Sequence, residues 1–273
     1  MRTFLADILA VAFVVLVPLA DLAAWAQREL VGTTPFVRLG EQVLDQGAVR
    51  VALADRIVTS LEAANPALIT ADAPVRAFVT QQLASPIVRP AFDDLLASTH
   101  DQLRQGHDPL QLDLSPILPV LRQQLPANLA GRLPTSVFLA PVTVLRRRDA
   151  PAVWESVQLV QNDALVVVAL TLVALVGAIA VARRRGALCI VLGLVTAAIA
   201  VGLIAVVKPG RSLLESQSGT STQRAAFLAG YDVVTRSFVL QTVVVAVAGF
   251  VLVIAGCIVA WNQGRNVRPT GWA

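Results

Sequence analysis

The sequence is poor in the residues that give a folded chain a water-soluble surface. Only 15% of its 273 residues are charged, whereas soluble domains carry about 25%. Hydrophobic residues make up 56% of the chain, and the mean hydropathy is +0.68. This shortage of polar surface excludes a soluble cytosolic enzyme, a disordered regulator and a coiled coil. The chain is therefore expected to be an integral membrane protein with a modest water-exposed part.

Cysteine and lysine are also scarce. The two cysteines, Cys189 and Cys257, lie in apolar runs, so the polar regions hold neither a disulfide framework nor a cysteine metal site. Lys208 is the single lysine, and the other cations are arginines dispersed along a chain whose net charge is only +4. In a membrane protein, the positions of such cations indicate which loops lie on the cytosolic side. They predict no nucleic-acid partner.

Four segments are predicted to cross the bilayer. Residues 164–182, 187–207 and 238–261 are uncharged runs of the roughly 20 residues that a membrane helix needs. Residues 1–26 are less uniform, because Asp7 and Asp21 leave only a short uncharged core between them. That core also fits a cleaved signal peptide. Because Asp7 lies where a signal peptide carries net positive charge, we interpret this segment as a retained first span.

The two aspartates of the first span would lie about 21 Å apart along a helix, near the two edges of the hydrocarbon. A carboxylate at an edge reaches water. An ionisable residue within a span is by default a candidate functional site, as in proton relays. The spans offer no second buried acid, histidine or lysine to which a proton could pass, so the interfacial interpretation of Asp7 and Asp21 is preferred.

The distribution of arginine predicts the orientation. With the N-terminus inside, the cytosolic side holds six cations and no acid, in the N-terminus, the turn 183–186 and the tail 262–273. The opposite orientation places four cations and two acids inside, in the loop 208–237. Residues 27–163 are left out of this charge count, because loops of this length cross the membrane regardless of their charge. The prediction is a multi-pass plasma-membrane protein with both termini cytosolic and with residues 27–163 and 208–237 outside.

The fold class is predicted to be membrane, mostly α: four transmembrane helices with a mainly helical, minor β extracytoplasmic domain. Residues 27–163 form this domain, in which apolar residues recur at helical spacing from Val49 to Leu61 and again after Asp72 and after Pro86. Strands are expected at 110–114 and 136–145, and a helix is expected to run from Pro151 into the second span. The second outer loop is residues 208–237, and Pro209 is expected to end the preceding helix at its start. Phe227 and Tyr231 of this loop are expected to pack against the domain.

The order of spans and three segments resemble a group of uncharacterised actinobacterial multi-span integral membrane proteins with a large extracytoplasmic domain after the first span. The segments are Ser98–Leu103, Leu112–Leu118 and Arg224–Thr235, with the sequences STHDQL, LDLSPIL and RAAFLAGYDVVT. The resemblance covers most of the chain. It implies this topology and an actinobacterial plasma membrane, and it transfers no catalytic residue.

The strongest candidates for metal ligands are His100, His107 and Asp93. Histidine and carboxylate are ligands that zinc accepts, and these positions would share one face of an unbroken helix. Gly106 is expected to break that helix, and a tetrahedral site needs more ligands. We therefore expect an inward, hydrogen-bonded His100, with His107 near the helix C-terminus, where a cation is favourable. No cofactor, catalytic residue or metal site is predicted.

Two further features could bind partners. Arg146, Arg147 and Arg148 could contact anionic lipid headgroups or phosphorylated glycans, although a solvated face also explains them. Small residues at four-residue spacing allow close packing of the spans, alone or with a membrane-protein partner or a second copy. They are Ala174, Ala178, Ala182, Gly193, Ala197, Ala198 and Gly202.

The function predicted from these features is that of a non-enzymatic cell-envelope protein, a scaffold, sensor or accessory subunit whose outer domain mediates binding. The alternative is a transporter or channel subunit, which would need more polar groups than Thr171, Thr196, Gln241 and Thr242 provide in one copy. A membrane enzyme would depend on the histidine and aspartate cluster alone. Whether the chain is an enzyme is left open, with the non-enzymatic alternative preferred.

Overall fold

The computed structural model describes residues 2–64, 72–124, 142–145, 147–148, 151–215 and 220–265. Four of its helices are long and apolar enough to cross a membrane, as the sequence predicts. The described helices are α1 (Arg2–Ala26), a π-helical turn (Gln27–Val31), α2 (Thr33–Leu44), α3 (Gly47–Ala64), α4 (Asp72–Gln82), α5 (Arg89–Arg104), α6 (Ile117–Gln124), α7 (Pro151–Val181), α8 (Arg185–Glu215) and α9 (Ser221–Arg265). The strands are β1 (Leu110–Leu112) and β2 (Val142–Leu145).

The chain divides into two compact units. The spanning unit comprises Met1–Gln27, Val160–Gly210 and Thr235–Ala273. The polar unit comprises Arg28–Leu159 and Arg211–Val234. The sequence boundaries between them fall within helices rather than in loops, because the π-helical turn extends α1 and because α7, α8 and α9 each continue from one unit into the other.

The polar unit has its own apolar core, built from helices with one buried stripe each. In α3 the residues Ala54, Ile57, Val58 and Leu61 are buried at spacings of three and four, which places them on one helix face. Equivalent stripes come from α4, α5 and α6, and the core members outside α3 are Leu44, Val75, Val79, Leu83, Val88, Phe92, Leu95, Leu114, Ile117 and Leu121. Helix α2, which the sequence analysis did not predict, packs against α5.

Two arginines form ion pairs that link helices of the polar unit. Arg76 of α4 hydrogen-bonds to Asp55 of α3 and, at 2.5 Å, to Asp72. The bond to Asp55, followed by that to Asp72, raises the pKa of the Arg76 guanidinium above its usual value. Arg89 donates to Asp45 at 2.9 Å and so links α5 to the end of α2. These groups are partly exposed, so each pair contributes at most about 1 kcal/mol.

The two short strands pair antiparallel, with Leu110 opposite Leu145 and Leu112 opposite Val142. The predicted pair is therefore present, although β1 ends at Leu112 rather than at residue 114. The N-terminal part of the second predicted strand, residues 136–141, lies outside the described residues. Gly106 ends the preceding helical segment with a φ of 73°, as its position after α5 predicted.

In the spanning unit, two pairs of glycines bring α8 and α9 together. A Cβ added at Gly193 would lie 2.5 Å from the Gly249 carbonyl oxygen, and one at Gly249 would lie 2.8 Å from the Gly193 carbonyl oxygen. Gly186 and Gly256 form a second reciprocal pair, at 2.8 Å in both directions. Only residues without a Cβ allow backbones to approach this closely. The predicted small residue Gly202 has nothing within 4 Å of its added Cβ, so it makes no such approach.

One prediction for residues 208–237 is wrong, and a second holds only in part. The loop was expected to begin at Pro209, but α8 continues through this proline to Glu215. Arg211 supports the extra turn, since its guanidinium lies 3.5 Å from Glu215 one turn later and 3.3 Å from Asp232 of α9. Residues 211–234 belong to the polar unit, as expected, but Phe227, which was expected with Tyr231 to make the contact, is 70% exposed. Helix α9 approaches α2 elsewhere, where a Cβ at Gly230 would lie 3.7 Å from Val43.

Candidate functional site in the spanning unit

The clearest candidate site is a buried carboxylate among the spanning helices. Asp21 lies in α1 and is only 4% exposed. It shares one helix face with Phe13, Val17 and Trp25, which are also buried and follow each other at intervals of four residues. Asp7, the other aspartate of this helix, is exposed. The interfacial interpretation of Asp21 is therefore wrong, because its helix face points into the bundle.

Two neighbouring residues of α9 bind Asp21. The Gln241 amide nitrogen donates to the Asp21 backbone carbonyl at 2.9 Å and to Oδ1 at 3.2 Å. The Thr242 hydroxyl lies 2.9 Å from Oδ2, and Thr242 is fully buried. Trp25, one turn after Asp21, packs edge-on against Phe238, one turn before Thr242, with ring centroids 5.7 Å apart. These five side chains join α1 to α9 at one level of the bundle.

The Thr242 hydroxyl has two acceptors within reach. Its oxygen lies 3.1 Å from the Phe238 carbonyl as well as 2.9 Å from Asp21 Oδ2, but it carries a single proton. Thr242 therefore links Asp21 of α1 to the backbone of α9.

Asp21 borders a cavity of about 320 Å³ that is lined by all four spanning helices. Its wall is mainly aliphatic, and the polar side chains among its lining residues are Asp21, Thr171, Thr196 and Gln241. The two threonine hydroxyls donate to carbonyls of their own helices, Thr171 to Val167 at 2.7 Å and Thr196 to Leu192 at 2.8 Å. The few polar groups of the spans, scattered in sequence, thus converge around Asp21 and this cavity.

Sequence analysis missed this site although a local signal was present. Phe13, Val17, Asp21 and Trp25 mark one stripe of α1 at four-residue spacing, which predicts an inward face. An aspartate on that stripe needs donors, and Gln241 and Thr242 are the adjacent polar pair of the last span. Hydropathy averaged over a window does not register which face of a helix a residue occupies, so it does not distinguish a buried Asp21 from an exposed one.

The structure places His100 inside the polar unit, with no exposed surface. Its Nε2 lies 2.9 Å from the Leu30 carbonyl, which only accepts, so Nε2 carries the proton. In the neutral ring Nδ1 is then an acceptor for the Thr33 hydroxyl at 3.3 Å. The ring also packs on Phe36, with centroids 4.8 Å apart. The inward, hydrogen-bonded histidine predicted from the sequence is confirmed, and it lies on the turn that joins α1 to α2.

The other sequence candidates are not brought together with His100. His107 is exposed beyond the end of α5, and Asp93 is half-buried with its Oδ1 unpaired among the residues described. Within the described parts of the chain, no group of three or more histidine, cysteine, aspartate or glutamate side chains could hold a metal ion. Arg147 and Arg148 are exposed, and the Arg147 backbone N–H donates to Asp108 at 2.9 Å. Arg146 lies outside the described residues.

Comparison of the chain with protein-family models, with curated proteins and with solved structures finds no match. The resemblance to actinobacterial membrane proteins therefore stays a prediction. A functional assignment has to come from the chemistry of the residues themselves, above all from Asp21 in the spanning unit and His100 in the polar unit.

Proposed function

We propose that this chain is a non-enzymatic plasma-membrane protein, a scaffold, sensor or accessory subunit, whose polar unit is extracytoplasmic and binds a partner. The observation that carries the proposal is the anchoring of the helix end after the first span. Helix α1 continues without interruption into the π-helical turn, and the carbonyl of Leu30 in that turn accepts a hydrogen bond from the fully buried His100 of α5. A partner that displaced α5 would therefore pull on the end of the first spanning helix, as a sensor requires.

The arginine distribution supports the orientation. Arg183, Arg184 and Arg185 lie where α7 ends and α8 begins, and Arg265 ends α9. The close pair of Gly186 and Gly256 brings these two regions to the same end of the spanning unit. A cluster of cations at one end, next to short connections, is the pattern of a cytosolic face.

Cysteine labelling tests the orientation. A cysteine-free background is made by replacing Cys189 and Cys257 with alanine, and Gln105→Cys and Gln263→Cys are introduced singly. Both positions are exposed, and Gln105 is preferred to Gly106, whose φ of 73° disfavours any side chain. In intact cells an impermeant thiol reagent should label Gln105→Cys only. Labelling of Gln263→Cys without Gln105→Cys would reverse the proposed orientation.

Partner capture tests the binding function. The chain is purified from native membranes in mild detergent, each co-purifying protein is identified, and its binding to the reconstituted chain is then measured. Ile87→Ser and Phe227→Ser change exposed apolar side chains of the polar unit, and Val201→Thr is the control on an exposed side chain of the spanning unit. The proposal expects loss of binding with at least one polar-unit variant and retention with the control. Binding that survives both polar-unit variants and fails with Val201→Thr would contradict it.

Transport is the second candidate function, and the convergence of Asp21, Thr171, Thr196 and Gln241 at one cavity is the observation that favours it. The matched variants are Asp21→Asn, at the buried aspartate, and Asp7→Asn, at the exposed aspartate of the same helix. Cation flux into proteoliposomes that is abolished by Asp21→Asn and unaffected by Asp7→Asn would move transport ahead of the binding function. Membrane-enzyme activity, the third alternative, has no such cluster among the described residues in its favour.

A further inference from the structure

We propose that the cavity beside Asp21 binds an alkylammonium-type ligand, a slender hydrocarbon chain that ends in a positively charged group with N–H donors. This site would act independently of partner binding by the polar unit, because every residue that forms it belongs to the spanning unit. The inference follows from three properties of the cavity: its volume, the hydrogen-bonding character of its wall and its charge.

The polar groups of the wall offer acceptors, because their donor hydrogens are already used. The Gln241 amide nitrogen already donates twice to Asp21, to the backbone carbonyl and to Oδ1. The hydroxyls of Thr171 and Thr196 donate to carbonyls within their own helices. The small polar part of a nearly all-apolar wall therefore consists of acceptor lone pairs, those of the Asp21 carboxylate above all. A ligand that satisfies this wall must bring hydrogen-bond donors.

The charge of the site calls for a cation. An ionised carboxylate that is 4% exposed is costly unless it is paired. Its two donors, Gln241 and Thr242, are neutral, and no arginine, lysine or histidine occurs among the residues that line the cavity. A carboxylate accepts up to about four hydrogen bonds, so lone pairs remain for an N–H group after these two. An ammonium group supplies both the missing charge and the missing donors.

The volume and the aliphatic wall determine the rest of the ligand. The cavity of about 320 Å³ is at the lower end of the range for small-molecule sites. At about 30 Å³ per heavy atom, the share of a water molecule in liquid water, it has room for roughly ten heavy atoms. Valine, leucine, alanine and phenylalanine side chains make up most of the wall, which suits methylene groups. A linear alkylamine of medium length fits these limits.

The probe is n-octylammonium at neutral pH, titrated into the full chain in nanodiscs of zwitterionic lipid and measured by calorimetry. Titration into empty nanodiscs corrects for partition into lipid. The proposal expects saturable binding of n-octylammonium and at least about tenfold weaker binding of n-octyltrimethylammonium, which has the same charge and no N–H donor. The proposal is overturned by lack of saturable binding, or by equal binding of the two cations.

Two matched pairs of variants locate the site. Asp21→Asn should weaken octylammonium binding by about tenfold, a change that corresponds to 1.4 kcal/mol, whereas Asp7→Asn in the same helix should leave it unchanged. Ala248→Leu fills part of the cavity and leaves Asp21 intact, and Ala255→Leu is its control at an exposed position of α9 that does not line the cavity. Each variant is first checked for a wild-type size-exclusion profile. If Asp21→Asn does not fold, the test depends on Ala248→Leu. Wild-type binding by Ala248→Leu contradicts the proposal. Loss of binding in Ala248→Leu, together with normal binding in Ala255→Leu, supports it.

Discussion

Replacement of His100 by alanine tests whether this residue anchors the end of the first spanning helix. The imidazole donates to the Leu30 carbonyl at 2.9 Å, hydrogen-bonds to Thr33 at 3.3 Å and packs on the Phe36 ring. Each hydrogen bond contributes about 1 kcal/mol, and an unpaired buried carbonyl adds to the cost of losing its partner. Removal of a fully buried ring also leaves a cavity, so the summed loss in the free energy of unfolding is about 2 to 4 kcal/mol.

The measurement is the thermal unfolding of the purified full chain in one detergent. For a chain of this size, 1 kcal/mol shifts Tm by about 2 to 4 °C, so a loss of about 2 to 4 kcal/mol on His100→Ala should lower Tm by roughly 4 to 16 °C. His107→Ala is the matched control, because the same side chain is removed from an exposed position nearby, and it should change stability by less than about 0.5 kcal/mol. Thr33→Val should reproduce only the smaller part of the loss, since the bond to Leu30 is retained.

The anchor hypothesis also predicts that chelators leave Tm unchanged. Zinc that co-purifies in stoichiometric amount, and that is lost from both His100→Ala and His107→Ala, would refute the structural interpretation of His100. It would also bring a membrane enzyme back into consideration. Equal Tm values for His100→Ala and His107→Ala would refute the anchor without involving a metal.

Two further predictions concern the spanning unit. Gly193→Ala places a Cβ 2.5 Å from the Gly249 carbonyl oxygen and should destabilise the protein by about 1 to 3 kcal/mol through overpacking. The control is Gly202→Ala, where the added Cβ meets nothing within 4 Å; it should be neutral or stabilise the helix by up to about 1 kcal/mol. Equal Tm values for the two variants would show that close packing of Gly193 against Gly249 does not contribute to stability. Mass spectrometry of the purified protein should find residues 1–26 retained, since Phe13 and Val17 of α1 belong to the buried core of the spanning unit; an N-terminus at Gln27 would instead identify a signal peptide and three spans.

The sequence alone determined the features that depend on neighbours along the chain. Four spans follow from the length of apolar runs, and the stripes of α3, α4 and α5 follow from spacings of three and four residues. The ends of helices also depend on contacts with other parts of the chain, so local sequence does not determine them. Pro209 predicted a break that does not occur, because contacts of Arg211 with Glu215 and with Asp232 of another helix support the turn beyond it. Helix α2 was missed because its packing against α5 is a tertiary contact.

The tertiary structure alone decided which polar residues form a site. Asp21 and its donors Gln241 and Thr242 are about 220 positions apart in the chain, and His100 and Leu30 are 70 apart. Whether a carboxylate near a membrane edge contacts water or a protein donor depends on which helix faces its side of α1. That arrangement is set by helix packing, including the glycine pairs that hold α8 close to α9. Hydropathy and periodicity describe one helix at a time, so neither could assign Asp21 to a buried site.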